Sequence, residues 1–173
     1  MDKLKTLAAA LVLIGVLFLA FAPDSIWGGG GVLPEAKRKA AGDFTLRTLD
    51  GESWSLAERR GKVVLVNYWA TWCPPCRTET PGLVRLANEY KSRGLEVAGI
   101  SLDEDRSLVP QFVSEYKISY PILFPANSDL AQMIEAIPMT LLYDRQGRMA
   151  KRYVGAVSES TFKTDVERLL AEQ

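Results

Sequence analysis

The first hydrophobic segment of the chain is continuous, whereas later segments alternate or recur with helical spacing. From Thr6 to Ala22 no charged residue interrupts the apolar run, and Lys3 and Lys5 precede it. Counted from Leu4, the run is long enough for a helix that crosses a hydrocarbon core of roughly 30 Å. The pattern predicts a single-pass membrane anchor at residues 1–22, with a cleaved signal peptide as the alternative. Because lysines favour the cytoplasmic side, the rest of the chain is expected outside the cytoplasm.

The next stretch is rich in glycine and charge and has no apolar periodicity. It contains four consecutive glycines, Gly28–Gly31, and then a charged stretch from Glu35 to Lys39. Such a composition favours a flexible tether over a packed element. We therefore predict a linker at residues 23–41 and one folded domain at residues 42–173.

The domain begins with an alternating pattern and continues with a buried strand. Phe44, Leu46 and Thr48 alternate with polar neighbours, and Asp50-Gly51 is a strong turn signal, so a hairpin is predicted. The nearly uninterrupted apolar run from Val63 to Ala70 predicts a strand that is buried on both faces.

The remainder of the domain alternates between helical and strand patterns. The strongest helical pattern follows the buried strand: Leu83, Leu86, Ala87 and Tyr90 recur at helical spacing, with Gly94 as the stop. The other predicted elements are strands at 95–101, 120–124, 139–143 and 148–154, and helices at 109–116, 127–136 and from about 158 onwards. This order indicates an α/β fold with a mixed central sheet.

Composition excludes several kinds of chemistry. Lysine and arginine total 21, as do aspartate and glutamate, so no basic excess favours nucleic acid as a partner. There is no histidine, which removes imidazole catalysis and imidazole metal ligands. The two cysteines are too few for a typical four-ligand zinc site. We therefore expect neither a metal nor a bound cofactor.

The two cysteines lie directly after the buried strand and are separated by two residues. Together they form the motif Trp72-Cys73-Pro74-Pro75-Cys76. Because Cys73 precedes a helix, backbone N–H groups and the helix dipole would stabilise its thiolate, so Cys73 is predicted to attack first. Cys76 is predicted to be more buried and to resolve the mixed disulfide. An inert structural disulfide is the alternative, but so small a ring removes little chain entropy.

Two further positions are candidates for the site. Glu79 lies one helical turn after Cys76 and would exchange a proton with it, the alternative being a solvated surface glutamate. Ile137-Pro138 precedes a strand beside the active helix. A cis bond there would leave the Ile137 backbone free to pair with a substrate segment, whereas a trans proline at a strand start is the commoner alternative.

These residues together resemble a known family. The segment from Lys62 to Arg77 closely resembles the active-site segment of membrane-anchored, exported thioredoxin-like proteins of the TlpA/ResA type, and the match extends from about Asp43 to the C-terminus. The resemblance implies a thioredoxin-like fold, in which helices flank a mixed central sheet, with an N-terminal hairpin and a central αβ insertion at residues 103–125. It also implies a cis-Pro138. Ala136 and Met139 depart from the residues that usually flank this proline.

The resemblance also assigns roles to residues. It implies a catalytic role for Glu79, since Asn67 stands where cytoplasmic thioredoxins have a buried aspartate. The expected catalytic residues are Cys73, Cys76 and Glu79, and the expected substrate-binding residues are Trp72, Pro74, Pro75, Ile137 and Pro138. No cofactor is expected besides the redox-active Cys73–Cys76 disulfide.

Proteins of this type accept electrons from a membrane thiol transporter and reduce disulfides of exported proteins, including apocytochrome c before haem attachment. The same activity and partners are expected here, in a monomer on the extracytoplasmic side of the cytoplasmic membrane. The alternatives are a thiol oxidase or isomerase, a peroxiredoxin-like peroxidase, and a redox-inert binding module or chaperone. The motif does not set the direction of transfer, because related folds range from strong reductants to strong oxidants.

Overall fold

The computed structural model describes residues 31–125, 134 and 136–172. Within them lie eight strands and three α-helices: β1 (Lys39–Ala40), β2 (Thr45–Thr48), β3 (Ser53–Ser55), β4 (Val63–Trp69), α1 (Pro74–Tyr90), β5 (Leu95–Ser101), α2 (Val109–Tyr116), β6 (Ile122–Phe124), β7 (Met139–Tyr143), β8 (Arg148–Val154) and α3 (Glu159–Ala171). The predicted anchor at 1–22 and almost all of the predicted helix at 127–136 lie outside these residues. None of the described helices is both long and apolar enough to cross a membrane.

One mixed sheet organises the fold. Its strand order is β1-β8-β7-β4-β5-β6-β2-β3. The central strand β4 pairs in parallel with β5 and antiparallel with β7, and every residue of β4 is buried. The continuous apolar run therefore predicted the central strand correctly, and the α/β fold with a mixed sheet is confirmed.

The two faces of β4 contribute to different parts of the core. Val63 and Leu65 pack with apolar side chains of α1 and α3. Val64 and Val66 face the other way and pack with side chains of the β2–β3 hairpin, including Trp54, which is 1% exposed. The predicted hairpin thus forms one edge of the sheet and contributes side chains to the core on this face.

Helix α1 is built from local signals that the sequence displays. Cys73 is its N-cap, and Pro74 and Pro75 occupy the first turn, where a backbone N–H is dispensable. After Tyr90 a single 3₁₀ turn leads to Gly94, whose φ of 100° lies in the left-handed region that favours glycine. The predicted stop at Gly94 is confirmed.

Most of the other predicted boundaries also agree with the structure. Strands β5, β7 and β8 begin and end where predicted, whereas β6 begins at Ile122 rather than at Tyr120. Ser158 caps α3, since its Oγ accepts a hydrogen bond from the Thr161 N–H at 3.2 Å.

The domain boundary differs from the prediction. The compact unit begins at Val32, so residues 32–41 belong to the folded domain and not to the linker. Val32 is 3% exposed within the core, and the two residues of β1 pair with β8. Arg38 is also buried and forms an ion pair with Asp144. Sequence composition indicated a linker because charged residues dominate this stretch, whereas burial of Arg38 depends on carboxylates far away in the chain.

Candidate active site

The cysteines lie at the end of β4, where α1 begins. Cys73 and Cys76 form a disulfide with a Cα–Cα distance of 5.3 Å. The Cys73 Sγ accepts a hydrogen bond from the Cys76 N–H at 3.3 Å. The predicted position of Cys73 at the helix N-terminus is confirmed, and this position is the basis for predicting that its thiolate attacks first. In the disulfide form both cysteines are almost fully buried, at 3% and 2% exposure, so burial does not distinguish them.

Aromatic and aliphatic side chains enclose the disulfide. Both cysteines belong to one apolar cluster, which also contains Trp69, Ala70, Val109, Phe112, Ile122 and Phe124. The residues beside the disulfide are much more accessible: Trp72 is 66% exposed, and Pro74 and Pro75 are exposed as well. A protein partner can therefore contact these three candidate substrate-binding residues directly.

The loop before β7 completes this face of the site. The Ile137-Pro138 bond is cis, as the resemblance implied. Ile137 is half-buried and packs against the cysteine-containing cluster. Pro138 is buried, and its carbonyl accepts a hydrogen bond from the Gly155 N–H at 2.8 Å. The Ile137 backbone has no hydrogen-bond partner in the described part of the chain, which fits its predicted role in pairing with a substrate segment.

Glu79 lies on the buried face of α1, one turn after Cys76, with 6% of its surface exposed. Its Oε1 accepts a hydrogen bond from Asn67 Nδ2 at 3.0 Å, and its Oε2 accepts one from the Val157 N–H at 2.6 Å. Burial raises the pKa of Glu79 to about 7, although both hydrogen bonds favour the charged form. The alternative of a solvated surface glutamate is therefore wrong, and Glu79 is suited to exchanging a proton near neutral pH.

A buried carboxylate that sequence analysis missed holds the loop before the cysteines. Asp103, 6% exposed, accepts hydrogen bonds from the Thr71 N–H at 3.1 Å and from the Thr71 hydroxyl at 2.6 Å. The Ser101 hydroxyl donates to the same carboxylate at 2.8 Å. A signal for it existed, because Asp103 follows β5 and the C-terminal ends of parallel strands lie at one edge of a sheet.

Arg77 holds the same loop from the other side. Its Nη1 donates to the Thr71 carbonyl at 3.2 Å, and its guanidinium lies 5.3 Å from the Phe112 ring centroid. Its Nη2 pairs with Glu115 at 3.0 Å. Because Phe112 and Glu115 belong to α2, Arg77 couples the loop before the cysteines to the predicted αβ insertion.

No cluster of three or more histidine, cysteine, aspartate or glutamate side chains suited to a metal ion occurs among the described residues.

Comparison with known proteins agrees with this geometry. The model of the AhpC/TSA family matches residues 38–168, which include the cysteines, Glu79 and the cis-proline. The chain belongs to the AhpC/TSA family. It is also similar to the thiol-disulfide oxidoreductase ResA of Halalkalibacterium halodurans, with 32% identity over 174 residues that cover 98% of this chain and 94% of the relative. The predicted membership of the ResA-like proteins is thereby confirmed.

Solved structures show the same fold. A thiol:disulfide interchange protein of the thioredoxin family from Chlorobium tepidum TLS superposes with a TM-score of 0.71 at 32% identity. The match covers 80% of this chain and 100% of that protein. A secreted thiol-disulfide isomerase from Corynebacterium glutamicum superposes with a TM-score of 0.74 at 26% identity, covering 82% and 91%. The thioredoxin-like fold is confirmed, and the protein is a thiol-disulfide oxidoreductase.

Proposed function

We propose that this oxidoreductase works as a reductant of disulfides in exported proteins, on the extracytoplasmic side of the cytoplasmic membrane. The observation that carries the proposal is the Cys73–Cys76 pair at a helix N-terminus, next to the exposed Trp72 and one turn from the buried Glu79. This arrangement joins an attacking thiol, a resolving thiol and a proton acceptor at a surface that a protein substrate can reach.

The reaction proceeds in two exchanges. The Cys73 thiolate attacks one sulfur of the substrate disulfide, which forms a mixed disulfide and releases the other substrate sulfur as a thiolate. Cys76 then transfers its proton to Glu79 and attacks the Cys73 sulfur. This step closes the Cys73–Cys76 disulfide and releases the second substrate thiolate. Two electrons pass from the protein to the substrate, and the protein is left oxidised.

The partners follow from this cycle. Each turnover oxidises the protein, so it requires an electron donor, which we propose to be a membrane thiol transporter. The hydrophobic segment at 1–22 would keep the domain near such a donor. Among exported substrates, apocytochrome c before haem attachment is proposed from the resemblance to TlpA/ResA-type proteins.

The reduction potential tests the direction of transfer. The protein is equilibrated with glutathione buffers of known ratio, and the reduced fraction is measured by thiol alkylation. A reductant is expected to have a potential of about −220 mV or lower, as reducing thioredoxin-like proteins do. A value near about −120 mV, typical of a strong oxidant, would contradict the proposal.

An isomerase is the second candidate, because the similar protein from Corynebacterium glutamicum is described as a secreted thiol-disulfide isomerase. Refolding of a scrambled multi-disulfide protein distinguishes the two activities. A reductant leaves free thiols and needs a continuous supply of electrons. An isomerase restores native pairing without net electron transfer.

Trapping identifies the substrates. The Cys76→Ser variant retains the attacking thiol but cannot resolve, so mixed disulfides with exported proteins are expected to accumulate for mass spectrometry. The matched Cys73→Ser variant should trap far fewer. Absence of mixed disulfides in both variants would favour the redox-inert binding module, and Cys73-dependent turnover of hydrogen peroxide would favour the peroxidase.

Cell fractionation tests the location. The full chain is expected in the membrane fraction after extraction with alkaline carbonate, with its domain accessible to protease from the extracytoplasmic side. Recovery in the cytoplasmic fraction would contradict the proposed location.

A further inference from the structure

A single nitrogen atom joins Glu79 to a residue on the neighbouring strand. Asn67 Nδ2 donates one hydrogen to Glu79 Oε1 at 3.0 Å and the other to Thr140 Oγ1 at 2.9 Å. All three side chains are buried, with exposures of 3% for Asn67, 6% for Glu79 and 1% for Thr140. The strand register explains their proximity, because Asn67 and Thr140 are direct partners across β4 and β7.

The observed arrangement suits the charged form of Glu79. A carboxylate only accepts hydrogen bonds, and both of its oxygens face donors, Asn67 Nδ2 and the Val157 N–H. The Thr140 hydroxyl acts as an acceptor here. Both Asn67 Nδ2 hydrogens have an acceptor, so this arrangement satisfies the hydrogen bonds of the Glu79 carboxylate and of the Asn67 Nδ2 group.

Protonation of Glu79 reverses one of these contacts. The Val157 N–H is a backbone donor that cannot become an acceptor, so a proton on Oε2 could not be shared with it. A proton on Oε1 can be shared with Asn67, provided that Asn67 presents an acceptor there. An amide can present either nitrogen or oxygen after a half-turn of its side chain, and a hydroxyl can donate or accept. After such a turn Asn67 Oδ1 accepts from the Glu79 carboxyl and from the Thr140 hydroxyl, while the two Nδ2 hydrogens move to the position that Oδ1 leaves.

We propose that Asn67 and Thr140 form a reversible hydrogen-bond pair that satisfies Glu79 both as a carboxylate and as a carboxylic acid during the redox cycle. The inference rests on the proposed function, in which Glu79 takes the proton from Cys76. In that step the Cys76 thiol and the Glu79 carboxylate become a thiolate and a carboxylic acid, and no electrons move. Asn67 and Thr140 are positioning residues, since neither touches the reacting sulfurs.

An amide suits this position better than a carboxylate does. Aspartate at position 67 would place a second acidic group against Glu79, and two adjacent carboxyl groups resist full ionisation. Among the described residues, the Tyr120 phenol from the segment before β6 is the other titratable group that interacts with the charge of Glu79. In the oxidised protein the two cysteines form a disulfide and do not titrate. Burial, and to a lesser extent the charge of Glu79, raises the pKa of Tyr120. The phenol therefore stays neutral while Glu79 titrates.

Removing the Thr140 hydroxyl tests the pair. In Thr140→Val the charged form of Glu79 leaves one buried Asn67 hydrogen without an acceptor. In the neutral form Asn67 Oδ1 loses the bond from residue 140 but still accepts the bond from the Glu79 carboxyl group. The substitution therefore favours the neutral form, and the Glu79 pKa is expected to rise by about one unit, a tenfold change in proton affinity. Thr140→Ser keeps the hydroxyl and should restore the wild-type value.

The measurement is the titration of the Glu79 carboxyl carbon by ¹³C NMR in the full, oxidised chain in detergent micelles. Thr80→Val is the matched control. Thr80 is also a buried threonine, and its hydroxyl donates to the Cys76 carbonyl rather than to Asn67 or Glu79. Equal Glu79 midpoints in wild type and Thr140→Val would overturn the proposal, as would an equal shift in Thr80→Val.

A second measurement needs no substitution that weakens the core. In the wild type, the side-chain amide ¹⁵N and ¹H signals of Asn67 should change at the same pH midpoint as the Glu79 carboxyl, because the amide turns when Glu79 is protonated. Asn67 signals that do not follow Glu79 would contradict the inference even if Thr140→Val fails to fold. Both titrations use oxidised protein, so an oxidising potential would refute the proposed reductant without affecting this result.

Discussion

The protonation of Glu79 is governed by two opposing influences. Its hydrogen bonds with Asn67 and Val157 favour the carboxylate, whereas burial favours the neutral acid. Burial has the larger effect, so the pKa rises from 4.5 to about 7. A proton acceptor with this pKa changes its charge within the range where thiol exchange takes place, which an exposed glutamate would not do.

Replacement of Glu79 by glutamine should change how stability depends on pH. Because the native pKa is raised, folded protein binds this proton more tightly than unfolded protein, and wild-type stability falls as pH rises from about 4.5 to about 7. Glu79→Gln removes this loss. The difference in the free energy of unfolding between variant and wild type is expected to shift by about 2 kcal/mol in favour of the variant when the pH rises from 5 to 8. Urea unfolding of the oxidised proteins measures this difference.

The same variant should also change the reactivity of the thiols. The pH profile of alkylation of the reduced protein is expected to shift at one or both cysteines, because Cys76 loses its proton acceptor. Parallel stability curves together with an unchanged alkylation profile would remove Glu79 from the mechanism.

Asp103 acts on the loop that leads into the cysteines. Thr71 is held at its N–H and hydroxyl by Asp103 and at its carbonyl by Arg77. The next residue is the exposed Trp72, and Cys73 follows it. The position of the exposed Trp72 therefore depends on a carboxylate that follows the adjacent strand, β5.

Replacement of Asp103 by asparagine should impair the use of protein substrates. All three groups that contact the carboxylate donate hydrogen bonds, so an amide nitrogen would face a donor and cost about 1–2 kcal/mol of stability. Reduction of a protein disulfide is expected to show a raised KM with a smaller change in kcat. The control is Asp105→Asn, since Asp105 is exposed and its carboxylate accepts hydrogen bonds from Ser107. An equal effect of both substitutions would contradict this role.

Strand β5 is adapted to a large side chain on its neighbour. A Cβ at Gly99 would lie 2.8 Å from Trp69 Nε1 and 3.1 Å from Ile122 Cδ1. The Trp69 indole N–H is buried without a hydrogen-bond partner in the described structure. The ring instead lies 4.5 Å from Phe112, centroid to centroid, in the cluster that encloses the disulfide. The absence of a side chain at Gly99 is thus what allows Trp69 to pack beneath the cysteines.

A methyl group at Gly99 should therefore disturb the site from below. Gly99→Ala is expected to displace Trp69 and to lower the free energy of unfolding by about 1–3 kcal/mol, as overpacked cores do. Gly42→Ala is the matched control, because a Cβ at Gly42 meets nothing within 4 Å. Thermal and urea unfolding of both variants measure the difference, and equal stabilities would show that the ring can adjust at little cost.

The segment from Val32 to Ala41 joins the two ends of the folded unit. The Arg38 guanidinium is 1% exposed and bonds to Asp144 at 3.2 Å and to Glu172 at 2.7 Å. Asp144 lies in the turn between β7 and β8, and Glu172 is the C-cap of α3. The buried Arg38 side chain therefore connects the N-terminal segment of the domain with its C-terminal helix.

Removal of the Arg38 side chain should destabilise the whole domain. Arg38→Ala leaves the buried Asp144 carboxylate with Arg148 as its remaining cationic partner among the described residues, so a loss of about 2–3 kcal/mol is expected. The control, Arg85→Ala, breaks an exposed ion pair with Glu159 and should have a much smaller effect. Cooperative urea unfolding of the full chain measures both. Similar losses would show that the Arg38 pairs contribute no more than surface contacts do.

Hydrophobic periodicity along the chain was sufficient to predict β4, α1, β5, β7 and β8. These elements are specified locally: apolar spacing distinguishes strand from helix, and prolines and glycines mark the ends. The cysteine pair was evident for the same reason, because both sulfurs and the helix that activates them lie within a few residues. The cis-Pro138 needed the resemblance to a family, since spacing alone favoured a trans bond.

Burial of polar groups followed a different rule. Helical spacing made Glu79 a candidate but left a surface glutamate as the alternative, and no local pattern distinguished Asp103 or Arg38. Each of the three is buried against partners from other elements. The cost of burying a charged or polar group depends on hydrogen bonds with residues distant in the chain, and these contacts exist only after the strands have paired. The order of the elements and the two reactive sulfurs could therefore be predicted from the sequence, because residues close together in the chain determine them. The burial of the Glu79 carboxyl group, the contacts of Asp103 and Arg77 with the loop before the cysteines, and the start of the domain at Val32 depend instead on packing across the sheet.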